Sequence, residues 1–197
     1  LPYGTTACSW DEVIPFDKLW KQYERIIKDN GAIVLFGSQP FTSSLIMSKP
    51  NLFKHDWIWY KSRSGSAITA KYRPVKRHED ILVFCKNSPK YNPQMTEGVP
   101  YYRKSTNNKK NDHKLGVNSN METINTGTRY PITVQNFKQN WSKQQQIHPT
   151  QKPVALFEYL IKTYSDKGDN VLDNCIGSGT TAIACMNTNR NYIGIEL

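Results

Sequence analysis

Between Asp173 and Glu196 the chain reads DNCIGSGTTAIACMNTNRNYIGIE, and its residue types and spacing suit a nucleotide-like ligand. Gly177 and Gly179, with Ala182, fit the pattern G-x-G-x-x-A. Glycines permit a tight turn and close approach of backbone to a ligand, and a helix that starts there offers unpaired N–H groups. An acid, Glu196, follows Gly177 by nineteen residues and has the chemistry to accept the two hydroxyls of a ribose. No G-K-[ST] follows the glycines, which disfavours an ATP-type phosphate loop. Taken alone, the stretch is equally an ordinary strand–helix–strand corner with a helix-packing glycine.

Other residues with chemical potential lie far away in sequence. Tyr3 is held between Pro2 and Gly4 in an opening turn or loop. There it could present its ring face in a pocket or simply pack on the core. The segment His148-Pro149-Thr150-Gln151-Lys152-Pro153 punctuates the chain just before the last helical pattern. The four cysteines, Cys8, Cys85, Cys175 and Cys185, include no C-x-x-C pair. A metal knuckle and a disulfide framework are therefore not expected, and a reduced, cytoplasmic setting is the simplest reading.

The elements that must position these groups follow from periodicity. Residues 16–30 carry Phe16, Leu19, Trp20, Tyr23, Ile26 and Ile27 at helical spacing and end at Gly31. Ala32–Phe36 reads as a buried strand, Phe41–Met47 as a short helix, and His55–Tyr60 and Asp80–Phe84 as two more strands. Pro153 opens a helix whose apolar face is Leu156, Phe157, Leu160, Ile161 and Tyr164. A strand at Val171-Leu172, a helix over 180–187 and a strand at Tyr192–Ile195 complete the chain. Strands alternate with helices at both ends, so the expected fold is α/β with a mostly parallel, doubly wound sheet and its ligand at the carboxyl ends of the strands. The 197 residues suit one such domain with a large insertion. Nothing resembles a signal peptide or a membrane span. Residue 1 is Leu rather than Met, and both ends look trimmed.

Charge is uneven. Residues 1–53 are neutral overall, 54–85 carry net +4, 86–152 carry net +8, and 153–197 carry net −2. The basic middle also holds Tyr91, Tyr101, Tyr102, Tyr130, Phe137 and Trp141. Basic and aromatic residues interleaved in this way point to nucleic acid. Residues 86–147 show little periodicity, and an aperiodic segment of that length is usually functional or disordered.

These features together resemble the beta class of amino-methylating DNA methyltransferases. Leu1-Pro2-Tyr3 is similar to the tail of their D-P-P-Y motif, and 173–181 resembles D-P-F-x-G-S-G-T-T. Residues 148–153 match H-P-T-Q-K-P, and 192–197 match Y-I-G-I-E-L. The order of motifs, catalytic first and cofactor last, is that of the beta class.

The resemblance implies a Rossmann-like sheet and methyl transfer from S-adenosylmethionine to adenine N6 in DNA, with base flipping. Cytosine N4 is the alternative product, and a non-catalytic partner subunit of the same fold is a further one. A nicotinamide oxidoreductase on this fold is a third reading, which needs a substrate domain with a proton-transfer group near a nicotinamide. The implied catalytic residues are Leu1, Pro2 and Tyr3, with the motif's first residue preceding Leu1. The implied cofactor residues are Asp173, Asn174, Cys175, Gly177, Ser178, Gly179, Thr180, Thr181 and Glu196, together with Gln151, Lys152 and Pro153. The implied DNA contacts are Arg63, Lys71, Arg73, Arg103, Lys104, Lys109, Lys110 and Arg129. No metal is implied.

His78-Glu79 resembles a family position beside the pocket and reads equally well as a structural pair. Cys175 replaces the family's Phe and reads as a small buried residue. No cysteine follows a proline, which disfavours cytosine-C5 chemistry. The organisation expected is a catalytic part over 1–85, a target-recognition insert over 86–147 and a cofactor part over 148–197. Double-stranded DNA, a second copy of the chain and an associated restriction enzyme are the expected partners.

Overall fold

The structure, a computed structural model, describes residues 1–6, 8, 9, 11–62, 68, 70–104, 122–139 and 151–196. It divides into two compact units. One comprises residues 1–92 and 132–197, the other 93–131.

The larger unit is built on a four-stranded sheet. Strands β1 (Ile33–Gly37), β2 (Phe53–Lys61), β3 (His78–Phe84) and β8 (Val134–Phe137) lie in the order β1-β3-β2-β8. β3 is antiparallel to both β1 and β2, with Leu35 opposite Leu82 and Trp57 opposite Ile81. β8 runs parallel to β2, with Ile58 opposite Val134. Two further strands, β9 (Asn170–Asp173) and β10 (Asn191–Gly194), pair in parallel.

The sheet is thus mixed rather than mostly parallel. The reason is local. β1 and β2, separated by α2 (Phe41–Ser48), do run in the same direction, as strand–helix–strand alternation predicts. β3 follows β2 with no helix of a full turn among the described residues between them. A parallel neighbour needs such a crossover, so β3 returns antiparallel and inserts between the two.

Alternation along the strands then fills two layers. Leu82 and Phe84 of β3 face α1 (Phe16–Ile26) and α2, joining Leu19, Trp20, Tyr23, Phe41 and Leu45. Ile81 and Val83 face the other side, joining Trp57, Trp59 and the Leu156, Leu160 and Tyr164 stripe of α3 (Val154–Tyr164). Because both faces of β3 are covered, Ile81–Phe84 is apolar at every position rather than at alternate ones. A third cluster, Ile161 with Ala184 and Cys185, packs α3 on α4 (Thr180–Thr188).

The described residues of the smaller unit include two antiparallel ladders. β5 (Tyr101–Lys104) pairs with β6 (Glu122–Asn125), and β4 (Thr96–Glu97) with β7 (Thr128–Arg129). These strands and β8 fall within the stretch that shows no periodicity in sequence. Each is four residues or shorter, too brief for a repeat of two to register. Among the described residues no helix is long and apolar enough to cross a membrane.

Candidate active site

The glycine turn lies between β9 and α4. Gly177 and Gly179 both adopt left-handed φ, 53° and 77°, a conformation that costs an L side chain roughly 1–2 kcal/mol. A Cβ added at either meets nothing within 4 Å, so the backbone here stays open to a ligand. The turn closes on itself. The Gly179 N–H donates to Ile176 O at 3.0 Å, and the Gly177 N–H donates to Glu196 Oε2 at 2.8 Å. Asp173 accepts the Cys175 N–H at 3.0 Å on Oδ1 and the Thr181 hydroxyl on Oδ2. Ser178 and Thr180 hydroxyls lie 3.2 Å apart. Thr180 and Thr181 are buried, Cys175 is half-buried and Glu196 is exposed. Burial pushes the Cys175 thiol up, so it is a poor nucleophile there. Asn174 Oδ1 accepts the hydroxyl of Tyr23 at 2.8 Å, which ties α1 to the turn.

Tyr3 lies at a second site, in a loop fixed by Asp11. The N–H groups of Tyr3 and Gly4 donate to Asp11 Oδ1 at 2.7 and 3.0 Å, and those of Thr5 and Thr6 to Oδ2 at 2.9 and 2.7 Å. The Thr6 hydroxyl adds a fifth bond at 2.8 Å. Four consecutive amides converge on one carboxylate because Gly4 turns the chain at φ 65°. Burial pushes the Asp11 carboxyl up, but the hydrogen bonds from Thr6, Gly4 and Tyr3 outweigh it and hold it at about 2. The Tyr3 ring stacks on Phe41 at 5.1 Å and 28°. Its hydroxyl donates to Glu79 Oε2 at 3.3 Å.

The two sites meet through Glu79 and Lys152. Lys152 O accepts the Thr180 hydroxyl at 3.4 Å, while Lys152 Nζ lies 3.7 Å from Glu79 Oε2 and 4.9 Å over the Phe36 ring. Leu1 and Tyr3 pack against the cluster that holds Tyr23, whose hydroxyl reaches Asn174 beside the turn. Tyr3 is thereby linked to the glycine turn, although some 170 residues separate them in sequence. Gln151 is half-buried and Pro153 is buried at the start of α3.

The basic residues scatter more widely. Lys71 and Arg73 are exposed on the larger unit, and Arg103 is exposed on β5. Lys104 pairs with Glu122 at 3.2 Å. Arg129 is occupied inside the smaller unit. Its guanidinium donates to Val99 O, Asn125 Oδ1 and Thr128 O and lies 4.9 Å from the Tyr101 ring centroid. Arg63, Lys109 and Lys110, like His148-Pro149-Thr150, lie outside the described residues. Asp11, which anchors the Tyr3 loop, Tyr23, which meets Asn174, and Lys61, whose ammonium donates to Glu79 Oε1, are candidate site residues that sequence reasoning missed. No local pattern marks them, and only Tyr23 stood out, as part of an apolar helix face.

A family profile described as DNA methylase (N6_N4_Mtase) matches residues 9–197. The chain belongs to this family. It is 32% identical over 204 residues to the type II methyltransferase M.HpaI of Haemophilus parainfluenzae, covering 99% of this chain and 59% of that protein. It is 51% identical over 198 residues to the type II methyltransferase M2.MboI of Moraxella bovis, covering 95% and 64%. The chain therefore spans about three fifths of the length of these relatives. The crystal structure of an M1.HpyAVI–SAM complex superposes with a TM-score of 0.61 at 26% identity, covering 100% of this chain and 79% of that one.

Proposed function

We propose that this protein methylates adenine N6 in double-stranded DNA, with S-adenosylmethionine as methyl donor. The observation that carries the reading is the link from Tyr3 through Glu79 and Lys152 to Thr180 at the glycine turn. Family membership and the similarity to M1.HpyAVI, solved as a SAM complex, support the choice of donor.

When bound, S-adenosylmethionine supplies a methyl group made electrophilic by its sulfonium. The residues present fit it. Open backbone at Gly177 and Gly179 admits a ligand. Glu196 can hold the turn and a ribose hydroxyl together, because a carboxylate has about four lone-pair sites. Asp173, Asn174 and Cys175 with Ser178, Thr180 and Thr181 line the methionine end, and Gln151-Lys152-Pro153 close its amino-acid side.

An exocyclic amine is a weak nucleophile because its lone pair is delocalised into the ring. The Leu1 carbonyl accepts one amine hydrogen and so localises that pair. Tyr3 stacks on the base once it has left the helix. Pro2 fixes the backbone between them. Lys71, Arg73, Arg103 and Lys104 contact phosphates or base edges, as do Arg63, Lys109 and Lys110. Residues 86–147 read the target sequence. A second copy of the chain, a companion restriction endonuclease and a bacterial cytoplasmic setting belong to the same proposal.

Modification-sensitive sequencing of DNA from a host expressing the intact gene tests it. The expected result is N6-methyladenine at one new short motif. N4-methylcytosine at that motif would reassign the base. No new methylated motif, in a host making soluble protein, would overturn the reading in favour of a non-catalytic partner.

A further inference from the structure

Glu79 stands at the centre of a charge cluster that the proposed chemistry does not use directly. It lies on β3 opposite Trp59 of β2. Lys61 Nζ donates to its Oε1, and Lys152 Nζ stands 3.7 Å from its Oε2. The exposures of the three side chains, Lys61 22%, Lys152 19% and Glu79 14%, place the cluster largely out of water. Each ammonium also faces an aromatic ring, Lys61 over Trp59 at 5.0 Å and Lys152 over Phe36 at 4.9 Å.

The protonation state follows from this surrounding. Burial pushes the Glu79 carboxyl up, and the two lysines outweigh it and hold it below the ordinary range. An ionised carboxylate has no proton to donate, so in the 3.3 Å contact with Tyr3 the phenol must donate. Burial first, and Glu79 second, keep that phenol protonated. The hydroxyl is thereby fixed at one end of the ring while Phe41 fixes one ring face.

We propose that Glu79 is the positioning residue for the target-base platform. It sets the ring plane of Tyr3 and, through Lys152, holds that plane in register with the glycine turn. This inference rests on the reading that Tyr3 stacks the target base. It assigns Glu79 a role that its neighbour His78 does not share, because His78 is exposed and lies 3.9 Å from Asp80 instead.

The test uses full-length protein, unmethylated phage λ DNA and tritiated S-adenosylmethionine. Glu79→Gln leaves one acceptor oxygen for three donors, so the Tyr3 hydroxyl loses its anchor. The expected result is a roughly tenfold fall in kcat, with S-adenosylmethionine affinity by calorimetry within about twofold of wild type. Tyr3→Phe should lose a similar factor, and the double variant should lose no more than Tyr3→Phe alone. Additive losses, or full activity in either single variant, overturn the proposal. If Glu79→Gln does not fold, Tyr3→Phe still decides, since it leaves the charge cluster paired.

A readout independent of catalysis separates this inference from the functional one. With 3-fluorotyrosine placed at position 3, Glu79→Gln should shift and broaden the fluorine resonance. An unmoved line overturns the positioning role even if methyl transfer is seen. A moved line with no methyl transfer by wild type shows that Glu79 sets the Tyr3 ring but overturns the methyltransferase reading, and with it the assignment of that ring as a target-base platform.

Discussion

Asp11→Asn should release the Tyr3 loop. In the native chain two carboxylate oxygens accept five hydrogen bonds from Tyr3, Gly4, Thr5 and Thr6. An amide keeps one acceptor oxygen and turns an NH2 toward the remaining donors. The carboxyl falls from 3.8 to about 2, which at about 1.36 kcal/mol per pH unit corresponds to about 2.4 kcal/mol. Asp11 itself is only 8% exposed, but Gly4, Thr5 and Thr6 around it are exposed. Solvent screening therefore cuts the figure to roughly half. The assay is hydrogen exchange at the four loop amides near neutral pH. Their protection should drop about 8- to 60-fold in Asp11→Asn, and methyl transfer should fall with it. The folded carboxyl is depressed below its unfolded value, so the stabilisation is complete above about pH 4. It is lost as pH falls from about 4 toward about 2, a dependence the variant should lack. Unchanged exchange at Tyr3, Gly4, Thr5 and Thr6 would refute the anchoring role.

Four other outcomes follow from the structure. Gly179→Ala meets no steric neighbour but must hold φ 77°. It should cost about 1–2 kcal/mol and weaken S-adenosylmethionine binding about tenfold by calorimetry. Lys71→Ala with Arg73→Ala should flatten the slope of log K against log salt by about 1.8 in DNA anisotropy titrations. Arg129→Ala should leave that slope alone and instead speed exchange at Tyr101 and Asn125, because its guanidinium holds the smaller unit's loops. Phe84→Ala empties a fully buried site against Trp20 and Phe53. A loss of about 3–5 kcal/mol should lower Tm by about 10 °C.

The elements with strong periodicity were legible from residues alone. The apolar stripe of α1, the unbroken run Ile81–Phe84 and the glycine turn before α4 each announce their conformation within a few residues. The likeness to one family was also readable without coordinates, and the family match over residues 9–197 bears out the membership. Those signals are local, because helix and strand periods repeat within ten residues and glycine marks a turn by itself.

The strand order and the anchors were not readable. Nothing local tells β3 to insert antiparallel between β1 and β2, or joins β8 to their sheet from a stretch without pattern. Asp11 looks like any acid ahead of a helix until four amides converge on it. Tyr23 looks like one more apolar helix position until its hydroxyl meets Asn174, 151 residues away. Glu79 could have been a structural partner of His78 until Tyr3, Lys61 and Lys152 gathered around it. The sequence determined which residues could do the chemistry and which short elements carry them. Tertiary structure alone decided which polar side chains hold them still, because such partners are chosen by the path of the chain through space and leave no periodic trace along it.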